Sequence, residues 1–445
     1  MTRAEAGLPL PLPTRRLCLL AAWISALFLL EWVHAGLALV PLLADASLLL
    51  LFGADAILSA RARLAAERRI PARLGLGKAV DVVLAVESAS RHAVAFEIAD
   101  DLDDGFEGAP ARERCVVLPG ATAEVRYRAL PVRRGRRVLG PLHLRAEGPL
   151  GLAWTAWKVE APDEVAVYPG GGNISTYERL VLAGRTRAVG IQPQRALGAG
   201  AEFSQLRDYR PGDDPKHMDW KSSARRRRLT WRDREPERQQ EVLLLLDTGR
   251  AMTARWRHAE RLEVSLEAAA LLAWVVASSH DKVGVVTFSS RVHQVLPPGG
   301  GVSAVGRVRE VLLDASADLT EPDFREAFGV ARTVLSKRSL LVLFSEPVGT
   351  AMAEEIREQF AATARRHRNL LVTMRDPSLF ALAEGPTPDR DSLARRAAAE
   401  SLLQDRARAI HELRARGVLV VDSFPDQVTP GVVNSYLALK SAGGV

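Results

Sequence analysis

The stretch "EVLLLLDTGRAM" (residues 241–252) sets five consecutive apolar residues before Asp247 and follows them with small and polar ones. A run this short, with no polar interruption, reads as a strand buried on both faces rather than as a helix. Similar runs recur at "KVGVVTF" (282–288), "RSLLVLFS" (338–345), "NLLVTMRD" (369–376) and "GVLVVDS" (417–423). Longer amphipathic patterns separate them at 260–279, 302–315, 322–335 and 393–416. Strands alternating with helices predict an α/β unit over 241–445, Rossmann-like, with a mostly parallel sheet covered on both faces. In such sheets ligands meet the carboxyl ends of the strands, so "DTGRAM" and "SEPVG" (345–349) frame the candidate site.

Working back from residue 241, residues 171–240 read as a connector. It contains "RDYRPGDDPKHMDWKSSARRRRLTWRDREPE" (207–237). Pro211-Gly212 suits a type II turn and Asp214-Pro215 a helix start, so a short helix is expected over 215–226. "LTWRDRE" (229–235) alternates like a strand and is expected to pair with "EVLLLLD". Ten basic and seven acidic side chains share the span, which favours internal ion pairs over a phosphate-binding surface. Nucleic acid or anionic lipid at Arg225–Arg228 is the alternative use of the arginines. Across the chain 60 basic residues face 53 acids, and 53 of the basic residues are Arg. No domain-wide polycation results, and no nucleic-acid partner is expected.

Residues 67–170 show period-two runs at 80–88, 92–100, 114–120, 123–130 and 163–170, broken by Gly, Pro and Asp. This predicts an antiparallel β-sandwich. Residues 17–60 are almost wholly apolar and are expected to form two membrane-crossing helices, about 17–33 and 36–58. Arginines flank the run at 15–16 and 61–69, which places residues 1–16 and everything after 60 on the cytoplasmic side. Asp45 and Asp55 interrupt the run and are expected to face the partner helix or an interface, with an ion path as the lesser reading. Two cysteines exclude a disulfide framework.

Known catalytic signatures are absent: no phosphate loop, no zinc-protease helix, no Cys-x-x-Cys and no nucleophile elbow occur. A strand ending in Asp resembles the start of the von Willebrand factor A metal site, in which Asp-x-Ser-x-Ser helps hold Mg²⁺. Here those positions read Asp247, Gly249 and Ala251, so both hydroxyls are missing. Thr320 and Glu346 are the other degenerate metal candidates, and no cofactor is expected. A hydrolase using Asp213, Asp219 and Asp247 as metal ligands is the enzymatic alternative.

The ordered set Arg207, Tyr209, Arg210, Gly212, Asp213, Asp219, Trp220, Ala224 and Arg225, followed by the strand ending at Asp247, resembles the signature of the bacterial family catalogued as domain of unknown function number 58. The resemblance extends to the apolar hairpin, "RRGRRVLGP" (133–141) and "PLGL" (149–152). It implies an inner-membrane protein with a cytoplasmic von Willebrand A-like domain and no established enzyme activity. The partners it implies are a MoxR-type AAA+ ATPase and a transglutaminase-like membrane protein.

Overall fold

Period-two alternation governs the N-terminal half of the molecule and continuous apolar strands the C-terminal half. The computed structural model describes residues 2–3, 11–30, 39–108, 113–170, 206–208, 220–226, 228–232, 239–256, 259–347, 349–386 and 389–442. They divide into two units, Met1–Gly172 and Asn173–Val445.

The first unit opens with β1 (Thr2–Arg3), β2 (Pro11–Pro13), α1 (Arg15–Leu30) and α2 (Leu39–Ala60). There follow β3 (Leu64–Arg69), β4 (Arg73–Gly75), β5 (Val80–Ser88), β6 (Val94–Asp100), β7 (Phe106–Glu107) and β8 (Glu113–Val117). β9 (Thr122–Pro131), β10 (Gly135–Val138), β11 (Leu142–Glu147), β12 (Ala153–Val159) and β13 (Glu164–Tyr168) complete it. One antiparallel sheet has the order β1-β3-β5-β9-β7 and the other β2-β12-β11-β6-β8. The inward residues Val82, Leu84, Val86, Phe96, Ile98 and Leu142 are buried in one core, as the alternation predicts. A third sheet, β10-β13-β4, joins them.

Inside this core lies a buried cation. Arg68 donates to both oxygens of Asp100, to the carbonyls of Gly140 (2.7 Å) and Ala161 (2.9 Å), and to Asp163 (3.2 Å). Tyr127 donates its hydroxyl to the same Asp100, and burial together with that carboxylate pushes the phenol's pKa up.

The first residues join the sheets, β1 pairing with β3 and β2 with β12. One expectation changes here. Asp55 faces neither a partner helix nor an ion path: it is fully buried and accepts three backbone N–H bonds, from Leu150 (2.7 Å), Leu152 (2.8 Å) and Ala153 (2.9 Å). Of the two helices, α2, with 22 residues, is long and apolar enough to cross a bilayer, whereas the described part of α1 has 16. One apolar helix near the N-terminus is thus compatible with a membrane anchor.

In the second unit β14 (Leu206–Asp208), α3 (Trp220–Arg226) and β15 (Thr230–Arg232) precede the main sheet. β15 pairs with β14, not with the strand at 241–247. The reason is that β16 (Glu241–Asp247) has both edges taken, by β19 (Lys282–Phe288) and by β21 (Leu340–Phe344). Between β16 and β19 come the small pair β17 (Arg255–Trp256) and β18 (Ala259–Glu260), then α4 (Arg261–Ser278). β20 (Val292–Gly299), α5 (Gly301–Asp314) and α6 (Phe324–Val334) lead to β21. After β21 run α7 (Gly349–Thr363), β22 (Arg368–Met374), α8 (Pro377–Glu384), α9 (Arg390–Ala415), β23 (Leu419–Ser423) and α10 (Pro425–Ser441).

The sheet order is β20-β19-β16-β21-β22-β23, parallel except for the antiparallel edge strand β20. Apolar clusters cover it on both faces: Val242, Leu244 and Leu246 belong to one, Leu243 and Leu245 to the other. Gly284 marks the irregular pairing of β19 with β20, since a Cβ there would lie 2.6 Å from the Leu296 carbonyl. The chain crosses from β16 to β19 on one side and later to β21 on the other, so the strand order reverses at β16. This is the position at which open α/β sheets form their crevice.

Candidate functional site

The reversal puts the carboxyl ends of β16 and β21 side by side. Asp247 ends the first, and Ser345 follows the second. Both are buried, and Ser345 donates its hydroxyl to Asp247 Oδ2 at 2.6 Å. The other oxygen, Oδ1, accepts the backbone N–H of Gly249 at 2.7 Å. Burial pushes the Asp247 carboxyl up to about 6; the bonds from Ser345 and Gly249 oppose the shift, and the charges of Glu321 and Asp318 add to it.

Next to it, the loop after β19 and the loop after α5 meet through Ser289. Its hydroxyl donates to Asp318 Oδ2 at 2.8 Å and lies 2.7 Å from His293 Nε2. With its proton committed to Asp318, Ser289 accepts from the imidazole, which is the reverse of what a nucleophile and its base require. Thr320 donates through its hydroxyl and its N–H to Asp318 Oδ1. Desolvation raises the Asp318 pKa, but the Thr320 and Ser289 hydrogen bonds outweigh it and hold it low.

Outside these loops lies a cleft of about 570 Å³ lined by residues including Arg250, Ala251, Arg261, Glu321, Met352 and Glu355. Arg250 and Glu321 pair at 2.5 Å across its exposed rim. Arg261 reaches the Ala251 carbonyl at 3.2 Å and Asp376 at 3.4 Å, tying the 3₁₀ turn at Arg250–Thr253 to the end of β22. The Glu355 carboxyl is pushed up by burial and by the charge of Asp323.

The metal candidates do not converge. Asp247 is committed to Ser345 and Gly249, and the Thr320 hydroxyl to Asp318. Glu346 accepts from Arg406 (2.7 Å), from the Thr373 hydroxyl (2.7 Å) and from the Met374 N–H (3.2 Å). Arg406 pairs in turn with Asp422 at 2.9 Å, so Glu346 belongs to a latch that fastens α9 to the sheet. Among the described residues no group of three or more His, Cys, Asp or Glu side chains is arranged to hold a metal. A Mg²⁺ site of the von Willebrand type does not fit this donor set. A Cβ at Gly249 would lie 2.8 Å from the Thr320 carbonyl and 3.1 Å from Asp247 Oδ1. The space for a side-chain hydroxyl at 249 is already filled.

Of the signature residues, Tyr209, Arg210, Gly212, Asp213 and Asp219 lie outside the described residues, as does the expected helix start at 215. Arg207 lies on β14, paired with Trp231. Trp220, Ala224 and Arg225 lie on α3, and all three are exposed. The grouping of Asp213 and Asp219 with Asp247 therefore falls outside the described residues. Ser345, Ser289, Asp318, Arg250 and Glu321 escaped the sequence reading, although Ser289 and Ser345 each stand one residue past a strand end, where a hydroxyl is worth inspecting.

A family profile described as "Protein of unknown function DUF58" matches residues 205–392. The chain is similar to the uncharacterized protein YeaD of Bacillus subtilis, 29% identical over 160 residues that cover 34% of this chain and 38% of that one. It is also similar to the uncharacterized protein Rv1480 of Mycobacterium tuberculosis, 24% identical over 183 residues covering 40% and 56%. The chain thus spans about half the length of the curated relatives it matches. Among solved structures it is similar to the conserved hypothetical protein BatB from Bacteroides thetaiotaomicron, with TM-score 0.31, 15% identity, and coverage of 46% of this chain and 99% of that one. An uncharacterized membrane spanning protein from Vibrio fischeri gives TM-score 0.18, 14% identity, 46% and 98%. Neither likeness carries an argument at these scores.

Proposed function

We propose that the chain is a non-enzymatic adaptor, held by its N-terminal apolar hairpin in the bacterial inner membrane. It presents a von Willebrand A-like unit in the cytoplasm to a MoxR-type AAA+ ATPase, in complex assembly or envelope maintenance. A transglutaminase-like membrane protein is the second partner in this reading. The observation that supports docking over chemistry is the state of Asp247: the carboxylate at the sheet's crevice has both oxygens engaged by the protein itself. Beside it, an exposed ion pair and a cleft offer a surface for recognition.

Binding of the detergent-solubilised full chain to a purified MoxR-type ATPase tests the proposal, with ATP and with ADP. Arg250→Glu and Glu321→Arg are expected to weaken binding without unfolding the chain. An ATPase that binds in neither nucleotide state would remove the partner from the reading. Binding that ignores both substitutions would move the docking surface elsewhere.

A further inference from the structure

Asp55 does not sit beyond the apolar part of α2. Leu51, one turn before it, is 49% exposed, and Ile57 and Leu58 after it are 57% and 47% exposed. A carboxylate at this level of an apolar helix needs donors. It finds them in the backbone of residues 150–153, described above.

The β11–β12 hairpin that carries this loop is gripped a second and a third time. Ser59, one turn further along α2, shares a hydrogen bond with the Thr155 hydroxyl at 2.5 Å. Thr14, just ahead of α1, donates its hydroxyl to the Gly151 carbonyl at 2.7 Å and its N–H to the Leu152 carbonyl at 3.0 Å. Space at the joint is tight enough to demand glycine: a Cβ on Gly148 would lie 2.3 Å from Asp55 Cγ. Gly151, with φ +70°, has Arg16 Nη1 2.9 Å from where its Cβ would be.

Held this way, the loop is level with side chains that α2 leaves open to its surroundings. Leu150 at its tip is 48% exposed, and Leu12, the register partner of Trp154, is 45% exposed. The Arg145 guanidinium lies 5.6 Å from the Trp154 ring centroid. Exposed leucines beside a tryptophan and arginines are the composition of a surface half in headgroups and half in acyl chains.

We propose that the 148–153 loop, with Leu12 and Trp154, is a bilayer-contact surface. Asp55 seats the sandwich in the headgroup layer of the membrane that α2 enters, in place of a flexible tether above it. This rests on the reading of α2 as a membrane anchor.

The test uses the full chain in phosphatidylethanolamine–phosphatidylglycerol vesicles, with Cys18→Ser and Cys115→Ser removing the native thiols. A fluorophore is attached at Leu150→Cys, at Leu49→Cys on α2, or at Lys78→Cys beyond the far end of β5, and quenched by lipids carrying a nitroxide, shallow for 150 and 78 and deep in the acyl chain for 49. The expected result is quenching at 150 well above that at 78. Asp55→Ala and Gly148→Ala, which break the joint from opposite sides, are each expected to drop quenching at 150 to the level at 78 and leave 49 unchanged. A label at 150 no better quenched than one at 78 in the otherwise unaltered chain, with 49 quenched, overturns the seating and spares the anchor. A label at 49 that escapes quenching overturns the anchor reading itself. The unaltered chain decides the matter even if a joint variant fails to fold.

Discussion

Ser345 and Asp247, 98 residues apart in sequence, share a 2.6 Å hydrogen bond at the point where the strand order reverses. A carboxyl with its pKa pushed up to about 6 by burial binds its proton more tightly in the native state than in the unfolded chain. Between roughly pH 4 and 6 the native state therefore carries more protons, and stability falls as pH rises through that window, by on the order of 3 kcal/mol. Asp247→Asn places a neutral amide there, with a nitrogen able to donate to Ser345. The variant's C-terminal unit is expected to melt above the parent at pH 8, with the gap closing toward pH 4. A gap between variant and parent that widens as pH falls from 8 toward 4 would sink this account.

Gly249→Ser restores one hydroxyl of the von Willebrand pattern. With the Thr320 carbonyl 2.8 Å from the new Cβ, the expected outcome is a loss of roughly 1–3 kcal/mol from overpacking. Titration calorimetry is expected to record no Mg²⁺ binding. Heat of binding with undiminished stability would show that the crevice can open to a cation.

Arg406 is 14% exposed and lies between Glu346 and Asp422. Arg406→Ala leaves two acids behind, one of them buried, and is expected to cost roughly 3–5 kcal/mol in urea unfolding. The double variant Arg406→Met, Glu346→Gln removes the charge mismatch at Glu346 and is expected to recover part of that loss. Simple additivity of the two single changes would argue against a coupled latch.

Arg68→Lys keeps the charge in the sandwich and loses the fork. One ammonium cannot serve Asp100, Asp163 and the carbonyls of Gly140 and Ala161, all of which the guanidinium reaches. The expected loss is on the order of 2 kcal/mol or more. A sandwich transition unmoved in a denaturant melt would mean water replaces those bonds freely.

The five parallel strands were legible because each is an unbroken apolar run, which suits burial on both faces and little else. β20 was not, since its "VHQVLPPG" combines edge-strand alternation with prolines that read as loop. α10 was missed as well: Pro425 suits its first turn, but Pro430 inside it argues locally against a helix. "LTWRDRE" was recognised as a strand but given the wrong neighbour, because local pattern is silent on whether β16 still has a free edge. At the site, Asp247 was legible from its place at a strand end. Ser345 as its partner was not, since nothing in "LFSEP" states which strand lies beside it. The donors of Asp55 were illegible for the same reason, being contributed by a distant loop.

That distance has a consequence in time. The donors for Asp55 are 95 to 98 residues downstream, and synthesis proceeds at about 5–20 residues per second. For several seconds the nascent chain carries this carboxylate on an apolar helix with none of its final partners yet made. The delay is longer for β2, whose partners in β12 lie 140 to 144 residues downstream. Until β12 is made, α2 and β2 lack the partners that hold them in the folded unit.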